Sequence, residues 1–345
     1  MIRISKIRLP VSRWFFIATG VIYFIQWFPT AGLFLMMLGA IIWPILLINL
    51  GFTGIAFEVF IKRVHWIWLV LPLLWFGGYF AFALKDHLIV SALQGELKQH
   101  NTLIRIPFDP GLDALVMDNN KDASNLISDY RLPVVFTKLA NSDANDFNAV
   151  RLADQSVCNV LRHNSIFRKA GIFTGSLGSR PKNGSYPTID NRLCVIWLPE
   201  KPTGNVINVH RSSSDQTFQK LDIKRSSLIV RTPENGHYEL LFGEAKPLVW
   251  WPKPLLFCAL NSGGPSWECV SGFDRDSVVL AAQKSRKYFV VPDLLARALN
   301  LDFTMPEVRQ ATPNSKMIDL IQSSLSRKGL QLDSSIFQGL ETSRE

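Results

Sequence analysis

"WFFIATGVIYFIQWFPTAGLFLMMLGAIIWPILLINLGFTGIAF", residues 14 to 57, runs for 44 positions without a lysine, arginine, histidine, aspartate or glutamate. About 20 apolar residues cross a bilayer, so the run is long enough for two passages. Pro29-Thr30 and Ala31-Gly32 interrupt it where a tight turn would fall, because proline lacks a backbone donor and disfavours helix in the residue before it. The pattern predicts spans near 12–28 and 31–51. A third charge-free run, Trp66 to Leu84, predicts a span over about 64–84, with Pro72 and Gly77-Gly78 as kink points. Six of the ten tryptophans lie in these segments, and Trp14, Trp27, Trp66 and Trp68 fall near their ends, where the amphipathic indole suits the interface. A cleavable signal peptide is the competing reading of the basic N-terminus. The uninterrupted apolar sequence beyond residue 30 and the lack of a small-x-small cleavage site weigh against it.

On a larger scale, charge divides the chain. Up to Lys85 there are seven basic residues and one acidic residue, Glu58; the remainder carries 30 basic against 27 acidic residues. The net charge of +9 therefore reports the flanks of the apolar segments, and no nucleic-acid partner is expected. Arg3, Lys6, Arg8 and Arg13 hold the N-terminus in the cytoplasm, and Lys62-Arg63 return the chain there, so the third span exports the remainder of the chain. A single span over 14–57 would leave the large domain in the cytoplasm, but such a helix far exceeds the hydrocarbon thickness. The expected protein is thus multi-pass in a bacterial inner membrane, with a transmembrane region over 1–85 and a soluble periplasmic domain over 86–345. The predicted spans hold no charge at mid-membrane depth, which argues against an ion path. Gln26 and Asn49 read as ordinary polar residues inside a helical hairpin.

The exported part reads as a mixed α+β domain with mainly antiparallel strands. "FNAVRLADQSVCNVLRH", 147–163, fits an amphipathic helix capped by Asp146, with Val150, Ala153, Val157, Val160 and Leu161 on one face. Strands are expected at 193–199, 205–211, 227–231, 238–243, 255–260 and 266–272, separated by turn sequences. Helices are expected at 291–301 and 312–329, the latter with Thr312 as cap and Gly329 as stop. "NNKDASN", 119–125, and "GSLGSRPKNGSYPTIDN", 175–191, read as loops.

Chemistry is hard to locate. Ser179 and Lys182 meet an S-x-x-K spacing but flank Pro181 in a loop, and His210, Ser212, Ser213 and Asp215 lie too close in sequence for a triad. Cys158, His163 and Cys194 lack metal-ligand spacing, and no G-x-S-x-G, Walker A or G-x-G-x-x-G sequence is present. No catalytic, cofactor-binding or metal site is assigned, and no cofactor is expected. All four cysteines lie beyond the last predicted span, where an oxidising periplasm favours disulfides. In "CALNSGGPSWEC", 258–269, Pro265 cannot donate the N–H that would close a two-residue turn, so a four-residue loop, 262–265, pairs Asn261 with Ser266 and Cys258 with Cys269. Two buried thiols remain the competing reading. The expected bridges are Cys258 to Cys269 and, by remainder, Cys158 to Cys194. The expected partners are the lipid bilayer and other envelope proteins. Binding or assembly in a multiprotein complex is the leading functional reading, and a membrane-anchored periplasmic hydrolase is the other.

Overall fold

The structure is a computed structural model. It describes residues 9–39, 41–138, 146–179, 188–218, 221–261, 264, 266–281, 290–305, 308–331 and 334–337. The chain forms two compact units, each discontinuous in sequence. One gathers Met1–Leu93, Thr217–Ile223 and Ala245–Val278; the other gathers Gln94–Gln216, Lys224–Glu244 and Val279–Glu345.

The first unit begins with α1 (Arg13–Gln26), α2 (Pro29–Met37) and α3 (Ile42–Phe60). A helical run of 37 residues then extends over Trp66–Thr102. It comprises a 3-10 turn (Trp66–Leu69), α4 (Val70–Pro72), a π-helical turn (Leu73–Gly77) and α5 (Gly78–Thr102), whose last residues belong to the other unit. The π turn falls between Pro72 and Gly78, where proline removes one donor from the ladder. Two helices, Ile42–Phe60 and Trp66–Thr102, are long and apolar enough to cross a membrane.

The helix expected over 31–51 is corrected. Pro29 does not open a long second span; it occupies the first turn of the short α2, where the missing N–H has no intrahelical partner to lose. The helix ends instead after Met37, with Gly39 at φ 75°, a conformation open to glycine, and α3 starts at Ile42. α1, at 14 residues, is about 21 Å long and short of a full crossing. Glu58, near the end of α3, accepts hydrogen bonds from the Val11 and Ser12 backbone N–H groups at 2.9 and 2.8 Å and from the Ser12 hydroxyl. The start of α1 therefore lies beside the end of α3.

β9 (Pro254–Leu260) and β10 (Trp267–Phe273) form a separate two-stranded antiparallel sheet within this unit. Its register pairs Leu260 with Trp267 and Cys258 with Cys269, the pairing expected from Pro265, and the Asn261 N–H donates to the Ser266 carbonyl at 2.9 Å. Cys258 and Cys269 are bonded, with Cα atoms 3.9 Å apart.

The second unit is built on a nine-stranded sheet of order β11-β8-β7-β6-β1-β2-β3-β5-β4. The strands are β1 (Asp113–Met117), β2 (Val135–Lys138), β3 (Phe147–Asp154), β4 (Phe173–Ser179), β5 (Thr188–Pro199), β6 (Asn205–Phe218), β7 (Leu221–Arg231), β8 (His237–Ala245) and β11 (Val278–Leu280), mostly antiparallel. β1 is the exception, lying parallel to both β2 and β6. Between β1 and β2 the chain crosses over through α6 (Asn120–Asp129).

Three sequence expectations fail here. Phe147–Asp154 is a strand; α7 starts only at Gln155 and ends at His163. The strand lies between β2 and β5 with residues 148–153 all buried, so both faces are covered and the alternation that marks a half-exposed strand is missing. The "NNKDASN" stretch is the first half of α6, not a loop: the Asn119 side chain accepts from the N–H groups of Lys121 and Asp122 at 2.8 and 3.1 Å. Both ends of the loop expected over 175–191 are strand, since β4 runs on to Ser179 and β5 begins at Thr188.

α6 and α9 (Val290–Ala298) cover one face of the sheet, placing Ala123, Leu126, Leu294 and Leu295 against Leu115, Val135, Val150 and Val209. On the other face, Val157 and Leu161 of α7, Phe167 of α8 (Ser165–Lys169) and Met317, Ile321 and Leu325 of α10 (Asn314–Arg327) pack on Ala153, Cys194, Ile196 and Leu198. Thr312 is not the cap of α10; Pro313 holds that position and offers no side-chain bond. Cys158 of α7 is bonded to Cys194 of β5, both fully buried.

Candidate functional site

The parallel arrangement around β1 sets the site. In sheets with parallel strands, ligands bind outside the strands' carboxyl ends, where neighbouring connections diverge. β1 ends at Met117, opposite Val209, while β6 runs on to Phe218, and the connection after β1 leads away from β6 into α6. Asp118 and Asn119 therefore emerge beside His210 and Arg211, residues 92 positions apart in sequence.

A cavity of about 270 Å³ opens there. Asn119, Lys121 and Asp122 from the start of α6 line it with Arg211 of β6, Lys224 and Ser226 of β7, and Phe242, Gly243 and Glu244 of β8. The Arg211 guanidinium lies over the Phe242 ring, 5.1 Å from its centroid, within cation–π range. Burial pushes the Asp122 carboxyl above its ordinary range, and the Arg211 and Lys121 charges pull it partly back. Three cations, two carboxylates and the positive end of a helix suit an anionic or zwitterionic group. On the opposite side of β6, the largely exposed His210 Nδ1 is bonded to an Asp118 carboxylate oxygen.

A second cavity, of about 380 Å³, is lined by Arg131, Arg151, Arg309 and Lys316 among apolar residues. Two of its cations are committed to the fold. Arg309 pairs at 2.8 Å with Asp129, both side chains 1% exposed, and Arg151 donates to both Glu200 oxygens at 2.9 and 3.0 Å.

Of the residues weighed from the sequence, His210 alone reaches this region through a described contact. Lys182 lies outside the described residues. His163 hydrogen-bonds the Asn159 carbonyl of its own helix, and the disulfide takes Cys158 and Cys194 out of metal chemistry. Among the described residues no group of three or more His, Cys, Asp or Glu side chains could hold a metal ion, and no hydroxyl or thiol is hydrogen-bonded to His210. Asp118, Asn119, Asp122 and Arg211 escaped the sequence reading. Asn119 followed three residues later by Asp122, with Ala123, Leu126 and Ile127 at helical spacing, is a helix-start signal that could have found half of them. No protein-family model matches the chain, and comparison with curated proteins and with solved structures finds no match.

Proposed function

We propose that the chain is a multi-pass protein of a bacterial inner membrane, N-terminus in the cytoplasm, whose sheet domain stands in the periplasm and acts by binding within an envelope assembly. The observation that carries the binding role is the cavity at the end of β1, beside β6, with Lys121, Asp122, Arg211 and Lys224 around it. The bonds from Val11 and Ser12 to Glu58 support the topology, because they bring Arg13 and Lys62-Arg63 toward one end of the helices. On this reading α1 and α2 cross together as one broken span, α3 returns and the long helix exports the rest. The two disulfides support an oxidising compartment.

An alkaline phosphatase reporter joined after residue 90 should be active and one joined near Lys62 inactive; the reverse pattern removes the periplasmic reading. A photocrosslinking residue at Lys224 should trap a defined envelope component in living cells, and Arg211→Met should abolish the adduct at unchanged protein level. A hydrolase is the second reading, favoured by the His210–Asp118 pair, in which a carboxylate orients an imidazole. Loss of function in His210→Ala, with crosslinking at Lys224 intact, would move the assignment to it.

A further inference from the structure

Gln26, Asn49 and Tyr79 lie on three separate helical segments, yet each gives its side chain to the same distant stretch of backbone. Gln26 Oε1 accepts from the Cys258 N–H at 2.9 Å, and Asn49 Nδ2 donates to the Pro252 carbonyl at 2.8 Å. The Tyr79 hydroxyl reaches the Val249 and Trp251 carbonyls at 2.8 and 3.2 Å. In return, Trp267 Nε1 donates at 3.0 Å to the Gln26 carbonyl, at the break between α1 and α2, and its ring lies where Gly32 lacks a side chain. Broken helices and strand edges are tolerated at membrane depth only where other protein groups complete their hydrogen bonds, and these contacts do so.

Depth comes from counting residues. Gln26 stands 13 residues beyond Arg13, Asn49 13 residues before Lys62, and Tyr79 14 residues beyond His65. At about 1.5 Å per residue all three lie about 20 Å from the basic rim. The opposite rim is marked by Lys85 and Asp86, about 30 Å from His65 by the same rise, which matches the hydrocarbon thickness. Asp86 accepts from the Leu248 N–H at 3.2 Å and pairs with Arg275 at 3.1 Å. The chain thus leaves the outer rim at 248 and regains it at 275.

We propose that residues 249–274 form an interfacial β-hairpin sunk about 10 Å beneath the outer rim, with bilayer lipid against its free apolar surface. The hairpin's place rests on the membrane topology proposed for the chain. Its three charges are all partnered: Lys253 pairs with Asp274 at 3.5 Å, and Glu268 accepts from the Asn261 amide and the Ser266 hydroxyl at 2.8 and 3.0 Å. Trp250 and Trp251 are 55% and 53% exposed, and Val270 of β10 is also exposed. Indole side chains at such a level are the usual residents of the interface.

The test uses the full chain reconstituted in phosphatidylcholine and phosphatidylglycerol vesicles. All four native cysteines are in disulfides, so Trp251→Cys or Val270→Cys supplies a single thiol for a nitroxide label. Phe57→Cys in α3 and Glu234→Cys in the turn between β7 and β8 serve as references. The expected result is that labels at 251 and 270 collide with oxygen more than with a water-soluble nickel complex, as the label at 57 does. Nickel collisions at 251 and 270 as frequent as at 234, with 57 still protected, would overturn the hairpin's place while leaving the spans intact. An aqueous signal at 57 as well would overturn both. Brominated lipid gives a second readout without a label: it should quench native fluorescence more than that of the Trp250→Phe/Trp251→Phe variant, and equal quenching counts against the proposal.

Discussion

In the sheet unit Leu126, Val230 and Leu295 are fully sealed between sheet and helices, whereas in the helical unit Phe34 and Phe60 stand 64% and 75% exposed. Polar groups are buried in both units, Asp129, Asn148, Arg151 and Arg309 among them in the sheet unit. The helical unit buries Gln26, Asn49 and Glu58, each hydrogen-bonded to a segment distant in sequence. Apolar volume fixes the packing of the sheet unit, because burial there removes water from the side chains. Where every surface is apolar, contact alone selects no partner, and hydrogen bonds specify which backbone meets which helix.

The contrast can be tested first at the sheet unit's sealed ion pair. Asp129→Asn leaves Arg309 as a charge in a sealed site and should cost roughly 3–5 kcal/mol, read as a lowered denaturation midpoint of the purified chain. The joint change Asp129→Leu/Arg309→Met should recover most of that loss; equal loss in both variants would mean the pair matters for its shape alone.

The disulfides give the next test. Cys158 and Cys194 are 36 residues apart and Cys258 and Cys269 are 11 apart, so chain entropy gives about 4 and about 3 kcal/mol respectively. Paired changes to alanine should lower stability in that order. The reverse order would show that the hairpin is held more by its bond than by the helices around it.

Asn49→Leu should leave the Pro252 carbonyl without its partner at a cost of about 1–3 kcal/mol. The effect should be confined to the helical unit and emerge as faster hydrogen exchange over residues 249–261. Unchanged exchange would remove the claim that polar side chains specify packing there.

The smallest effect is expected at Asp122. Its folded carboxyl titrates above the ordinary value, so the folded state binds more protons than the unfolded chain between the two, and stability falls as pH rises through that window. Asp122→Asn should therefore be more stable than the parent near neutral pH, with the advantage vanishing below the ordinary carboxylate range. A variant less stable at neutral pH would instead assign Asp122 a net favourable role beside Arg211 and Lys121.

Legibility in the sequence depended on how local each signal was. The hairpin register could be read from Pro265 and the loop it forces, and the apolar runs from composition alone. β3 could not, because both of its faces are covered and Val150, Ala153 and Val157 fit a helical stripe that the sheet overrides. The candidate site was the least legible part. It exists because β6 lies beside β1, a pairing across 92 residues that no local pattern carries, so His210 and Arg211 looked like the end of a strand running into a turn. Gln26 and Asn49 looked ordinary for the same reason, since their partners arrive from residues 252 and 258.

The discontinuity of the helical unit also sets a clock on its synthesis. Asn49 emerges 203 residues before Pro252, and Gln26 232 residues before Cys258. At roughly 5–20 residues per second the ribosome needs on the order of 10–50 s to deliver the missing strand. During that interval Gln26 and Asn49 lack the backbone groups of residues 258 and 252, Asn49 keeping only its bonds to Ile45 and Trp75, and water or another protein must stand in until that stretch is made.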